Sequence, residues 1–142
     1  MISTRGRYAL RMMLDLAEHQ GDGVVALKDI AARQEISKKY LEQIIPVLNR
    51  SGLLQTTRGV QGGYRLTRRP EEYTVGEILR TTETCLVSVA CLEKDAPQCQ
   101  RAQECLTLPV WQGLDRVINE YLDSITLQDV LDRKQVGNDY VI

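Results

Sequence analysis

The sequence predicts a mainly α-helical fold that carries one small β-hairpin. Amphipathic stretches before residue 52 keep helical spacing, a glycine-rich turn near residue 60 separates two short β-prone runs, and a long apolar stripe recurs at 111–125. At 142 residues the chain has room for one ordinary domain and a real core. With six Tyr, one Trp and no Phe, that core leans on Leu, Ile, Val and Met.

Each element has a local reason. Ser3 or Thr4 is placed to cap a first helix that runs to about Glu18, with Tyr8, Met12 and Leu16 on one face. The GDG at 21–23 breaks it. ALKDIAARQEIS then reads as a short helix through Ala31 and Ala32, followed by a tight turn. Ser37 caps a third helix, in which Leu41, Ile44, Ile45 and Leu48 form a buried stripe. Pro46 lacks an N–H and crowds the preceding turn, so a kink or local break is expected there; Gly52 ends the helix. Leu53–Thr57 and Tyr64–Thr67 make the hairpin, with Arg58 on one side of its tip and Gly62-Gly63 on the other. Thr74 and Glu77 form a capping box for a short helix to about Thr82. Pro97 marks the following segment as loop. Trp111, Leu114, Val117, Ile118, Tyr121, Leu122 and Ile125 hold helical spacing in a long helix, and Thr126 with Asp129 opens a last short one.

Helix–turn–helix followed by a β-hairpin is the plan of a winged helix-turn-helix. In it the third helix enters the major groove of double-stranded DNA and the hairpin reaches the backbone or minor groove. The charge distribution agrees. Residues 1–70 carry twelve Lys and Arg against six Asp and Glu, whereas residues 71–142 carry six against thirteen. A basic half joined to an acidic half fits nucleic-acid contact at one end, although solubility patterning alone could produce it. Enzyme chemistry has little support: the chain lacks a Gly-rich phosphate loop and a G-x-S-x-G motif, and its one His has no obvious nucleophile beside it. No small-molecule substrate is expected.

Three of the four cysteines fall within CLEKDAPQCQRAQEC, and Cys85 lies just upstream. The opening stretch carries Arg5, Arg7 and Arg11 without a continuous apolar core, and no run is long enough for a membrane span. A cytoplasmic setting is therefore expected, where thiols stay reduced and clustered thiolates bind metal or respond to redox state. The spacing C-x7-C-x5-C is unlike zinc ribbons and the common ferredoxin runs.

RGRYALRMMLDLA, DIAARQEISKKYLEQIIPVLNRSGLLQTTRGVQGGYRL, YTVGEI and WQGLDRVINEYLDSITLQDVL together resemble the IscR-type (Rrf) family of winged-helix regulators, from about Ile2 to Leu131. The resemblance implies a dimeric repressor or activator that senses an iron–sulfur cluster, nitric oxide, iron or cysteine status. It divides the chain into a DNA-binding unit at 1–82, a cysteine-containing cluster loop at 83–106, a dimerisation helix with a short helix at 107–131, and a flexible tail at 132–142. The family's YLEQ segment is matched at Tyr40-Leu41-Glu42-Gln43, and its RG-x-x-GGY wing at Arg58 to Tyr64. The implied DNA contacts are Lys28, Ser37, Lys38, Lys39, Tyr40, Glu42 and Gln43, together with Arg58, Gly59, Gly62, Gly63 and Tyr64. The residue types suit the task. Gln pairs bidentately with adenine, Glu accepts from cytosine, Lys reaches guanine or phosphate, and a guanidinium is held in a narrow minor groove.

In a homodimer, two recognition helices meet two half-sites of an operator. In cluster-binding members of the family three loop cysteines precede the long helix, which implies Cys91, Cys99 and Cys105 as ligands of an iron–sulfur cluster, 2Fe–2S by analogy with 4Fe–4S open. IscR proper places a His three residues after the third cysteine; here that position is Leu108. The fourth ligand is left among Cys85, Glu93, Asp95, Glu104, an acid of the other subunit and Glu42, the last of which would join cluster state to base contact. Genes of cluster assembly or of iron and cysteine metabolism are the implied targets. Two other readings stay open: the same regulator without a cluster, controlled by thiol redox or a partner protein, and a zinc-stabilised module that never touches DNA.

Overall fold

A computed structural model describes residues 2–83 and 86–137, with side chains through residue 133. Helix α1 spans Thr4–His19 and begins where Ser3 Oγ accepts from the Gly6 N–H at 3.2 Å. Helix α2 covers Leu27–Gln34 and α3 covers Lys38–Arg50. They meet at a turn in which Glu35 takes a left-handed conformation (φ 53°). Strands β1 (Leu54–Thr57) and β2 (Gly63–Leu66) pair antiparallel, with Leu54 opposite Leu66 and Thr57 opposite Gly63. After a 3₁₀ turn at Pro70–Glu72 come α4 (Val75–Thr82), α5 (Leu108–Asp123) and α6 (Leu127–Gly137). The fold is mostly helical with a two-stranded wing, as the sequence predicts.

The main core joins α1, α2, α3 and the inner face of the hairpin. Met12, Met13, Leu16, Ile30, Leu41, Ile44 and Leu48 are all fully buried in it. A smaller cluster of Val75, Leu79, Leu122 and Ile125 fastens α5 to α4. The chain after α5 is stitched back onto the segment before α4: Val75 N–H donates to the Ile125 carbonyl at 2.8 Å, and Leu127 N–H to the Tyr73 carbonyl at 3.0 Å. Leu127 then enters the main core.

Three local expectations are corrected. Helix α3 is continuous through Pro46, so the local break does not occur. The proline is on the exposed side and removes one backbone bond, while four buried side chains at Leu41, Ile44, Ile45 and Leu48 hold the helix against the core. At α4 only half of the capping box forms. Thr74 Oγ1 accepts from Glu77 N–H at 3.0 Å, but the Glu77 carboxylate turns to the Arg68 guanidinium at 2.6 Å, a charged partner stronger than a backbone N–H. Beyond Leu131 the chain stays helical to Gly137, since nothing from Asp132 to Val136 interrupts a helix.

Candidate DNA interface and thiol site

Helix α3 separates its two faces cleanly. Leu41, Ile44, Ile45 and Leu48 are buried, whereas Lys38, Lys39, Glu42 and Gln43 are exposed on the opposite side. Ser37 is exposed and caps the helix, its hydroxyl accepting from the Tyr40 N–H at 3.1 Å. Tyr40 is half-buried, and its ring meets that of Tyr8 edge-on at 5.2 Å between centroids. Lys28 is exposed in the first turn of α2.

The wing is shaped by its glycines. Gly59 has φ 113°, a conformation that a side chain would strain, and its carbonyl accepts from the Gly62 N–H at 3.0 Å to close the tip. Gly63 is buried, and a Cβ there would stand 2.4 Å from the Val25 carbonyl oxygen. That close approach lets Val25 and Tyr64 exchange two backbone bonds of 2.9 Å each, which pins β2 to the segment before α2. Tyr64 is half-buried against the main core. Arg58 is exposed at the tip.

The loop before α5 presents the thiols. Cys91 lies on a 3₁₀ turn at Ala90–Leu92, Cys99 in irregular chain, and Cys105 just ahead of α5. All three line one cavity of about 200 Å³, together with Gln98, Leu108 and Gln112. Leu108, the position at which the family resemblance implies a histidine, lines the same cavity. The Thr107 hydroxyl, 3.4 Å from Cys105 Sγ, and the backbone N–H groups of Thr107 and Leu108 hold the Cys105 thiol below its ordinary range. Among the described residues, no three His, Cys, Asp or Glu side chains are drawn close enough to hold a metal ion.

Of the further donors expected from the sequence, Glu93 and Asp95 line a different cavity with Arg80 and Glu83. Neither Glu104 nor Glu42 is among the residues that line the thiol cavity. Cys85 lies outside the described residues. His19 is exposed at the end of α1, 3.8 Å from the Glu18 carboxylate.

The apolar stripe of α5 splits in two. Leu122 and Ile118 pack on α4, while Val110, Leu114, Val117 and Tyr121 remain 59, 42, 58 and 58 % exposed.

Sequence reading passes over two features. The first is Asp15, a carboxylate 1 % exposed among Met12, Met13 and Leu16. Its signal was in plain view, as a charge within an apolar helical face. The second is Tyr73, fully buried, whose hydroxyl donates to the Leu53 carbonyl at 2.8 Å and accepts from Thr67 and Arg68 N–H groups.

Comparison with known proteins agrees with this architecture. Residues 2–133 match the model of the family Rrf2, described as an iron-dependent transcriptional regulator. Protein rrf2 of Nitratidesulfovibrio vulgaris is 39 % identical over 130 residues, 92 % of this chain and 86 % of that protein. The transcriptional regulator IscR of Pectobacterium atrosepticum is 36 % identical over 137 residues, 96 % of this chain and 82 % of its own. The structure of T. potens IscR superimposes with a TM-score of 0.78 at 39 % identity, covering 100 % of this chain and 93 % of that one. CymR, the global cysteine regulator of B. subtilis, gives 0.75 at 35 % identity, over 94 % of this chain and 97 % of that one. CymR of Staphylococcus aureus in an oxidized form gives 0.69 at 32 %, over 100 % and 98 %. A recognition helix with one polar face, a glycine-tipped wing and a match along nearly the whole chain lead to one conclusion: the protein belongs to the Rrf2 family of DNA-binding transcriptional regulators.

Proposed function

We propose that the chain is a cytoplasmic, homodimeric regulator whose operator binding is set by an iron–sulfur cluster held by Cys91, Cys99 and Cys105. The observation that carries this reading is that three loop thiols line one cavity at the N-terminus of α5. By chemistry the three thiols suit such a group, with the fourth ligand unassigned. Thiolates are its usual ligands, and Cys105 is already biased toward thiolate by Thr107 and the start of the helix. When bound, the cluster supplies a one-electron redox centre that responds to oxidant and iron supply; 2Fe–2S is favoured by analogy with IscR-named relatives. Targets are genes of cluster assembly or of iron and cysteine metabolism.

The chain's own residues supply the output. Lys39, Glu42 and Gln43 read base edges, with Lys28, Ser37, Lys38 and Tyr40 beside them on the phosphates, and Arg58 enters the minor groove from a tip shaped by Gly59, Gly62, Gly63 and Tyr64. Helix α5 packs on α4, and α4 packs on α1 and α3. A change at the thiol end of α5 therefore has a contiguous packed route to the recognition helix. It shifts operator affinity only as far as one arrangement of the thiol loop favours one arrangement of the dimer.

A second reading is supported by the lowered Cys105 thiol and by the relative solved in an oxidized form: thiol redox or a partner protein controls the same regulator without a cluster. Anaerobic purification, with the visible spectrum and the iron and sulfide contents, separates the two. A coloured protein that bleaches on Cys91→Ala, Cys99→Ala or Cys105→Ala supports the cluster. Protein that stays colourless and iron-free after reconstitution refutes it.

A further inference from the structure

The carboxylate of Asp15 is held from α2 by three hydrogen bonds. Arg33 Nη2 donates to Oδ1 at 2.7 Å and Arg33 Nε to Oδ2 at 3.0 Å, while Gln34 Nε2 donates to Oδ2 at 2.9 Å. The other end of the Gln34 carboxamide is engaged too: Oε1 accepts from Arg11 Nε at 3.2 Å, and Arg11 Nη2 donates to the Gln34 carbonyl. Arg33 and Gln34 are the last two residues of α2. Only Glu35, Ile36 and Ser37 separate them from α3. Each of these is constrained, by a left-handed backbone, by burial and by capping respectively. A second route runs from Arg11, which lies over the Tyr8 ring at 5.3 Å, through the edge-on contact of Tyr8 with Tyr40. The start of α3 is therefore tied to α1 twice.

We infer that Asp15 is a positioning residue for operator recognition. Through Arg33 and Gln34 it fixes where the first turns of α3 stand, and with them Lys39, Glu42 and Gln43. A carboxylate 1 % exposed and paired with a guanidinium that still reaches solvent is an expensive way to fill this space, because an apolar side chain of similar volume avoids the cost of desolvating the charge. What the ion pair adds is direction: three hydrogen bonds with defined angles permit one placement of the turn, whereas apolar contacts permit several. Phosphate contacts tolerate a small tilt of the helix, but hydrogen bonds to base edges do not. The inference rests on α3 being the helix that reads the bases.

The test compares wild-type protein with Asp15→Asn and with the double variant Asp15→Leu/Arg33→Met, which keeps the site filled and apolar should the single change fail to fold. Each is titrated against a duplex selected from a random pool by the wild-type protein, and against a scrambled duplex of the same length. Affinity for the scrambled duplex and its salt slope are expected to stay within about twofold of wild type. Affinity for the selected duplex is expected to fall at least about tenfold, so the specificity ratio falls by the same factor. A wild-type ratio in either variant, shown folded by a cooperative melt, overturns the inference. If Gln43→Ala also keeps that ratio, the assignment of α3 as the reading helix falls with it.

Discussion

Asn49 and Thr56 exchange two hydrogen bonds, with Asn49 Nδ2 donating to Thr56 Oγ1 at 3.0 Å and the Thr56 hydroxyl approaching Asn49 Oδ1 at 3.1 Å. One residue lies in the last turn of the recognition helix, the other in the first strand of the wing. The pair ties the end of α3 to β1, the two elements proposed to meet DNA. Because both residues are near the surface, Asn49→Ala is expected to cost about 0.5–1.5 kcal/mol of stability at most. Operator affinity should fall by more than that cost implies, since the wing must be ordered on binding. Paired thermal melts and operator titrations check it. An affinity equal to wild type would show that the wing is held in place without this pair.

Tyr73 makes a larger stability prediction. Its ring is fully buried, and its hydroxyl closes the junction between the wing and α4 by bonding Leu53, Thr67 and Arg68 at once. Tyr73→Phe keeps the ring and leaves a carbonyl and two N–H groups short of a partner. The expected loss is about 1–3 kcal/mol, read as a lower urea midpoint with an unchanged slope.

The elements were legible in the sequence because each is written locally. Ser3, Ser37 and Thr126 cap the helices that begin beside them, and two β-prone runs around a glycine-rich turn mark the hairpin. What joins the elements was less legible. The bond between Val25 and Tyr64 links residues 39 positions apart and depends on a missing Cβ at Gly63, which sequence reading assigns to the DNA side of the wing. The stripe on α5 read as one continuous face. It divides because α4 is short, and Val75 with Leu79 can cover only Leu122 and its neighbours. The thiols were found by type and spacing, yet which acids flank them depended on how a loop without regular structure folds. Glu93 and Asp95 turned to the far side, beside Arg80 and Glu83.

Asp15 also sets a pH dependence. Burial pushes its carboxyl up, but hydrogen bonds from Arg33 and Gln34, with the guanidinium charge, outweigh burial and hold it below the ordinary carboxylate value. A folded-state pKa below the unfolded value means that the ionised form stabilises the fold. That contribution is complete above the unfolded pKa of about 3.9 and is lost as pH falls through the lower folded value. The difference in melting temperature between wild type and Asp15→Asn is therefore expected to be constant near neutral pH and to shrink on acidification below about pH 4. A difference that grows on acidification contradicts the assignment.

Gln43 and Arg58 should fail in different ways on DNA. Gln43→Ala removes a side chain placed for a base edge, so it is expected to cost about 1–3 kcal/mol on the operator and little on unrelated sequence. Arg58→Ala removes a cation at the wing tip. It should weaken binding to many sequences and lower the slope of log affinity against log salt by about one. Titrations of both variants at several salt concentrations, on operator and scrambled duplexes, distinguish base reading from charge.

The exposed face of α5 predicts the assembly. Val110, Leu114, Val117 and Tyr121 follow one another at helical spacing and are each two-fifths or more exposed, whereas Ile118 and Leu122 of the same helix pack on α4. Burying such a stripe against its copy in a partner contributes about 25 cal/mol for each Å² of apolar surface removed from water. A charge placed on that stripe would meet its own copy across a two-fold axis and be desolvated there. Leu114→Glu and Val117→Glu, both at solvent-exposed positions, should therefore leave the melt of each protomer nearly unchanged while sedimentation shows a shift from dimer to monomer. Operator affinity should fall steeply in parallel, because two linked recognition helices bind two half-sites far more tightly than one helix binds a single half-site. If both variants stay dimeric and bind as wild type, the α5 face is not the interface.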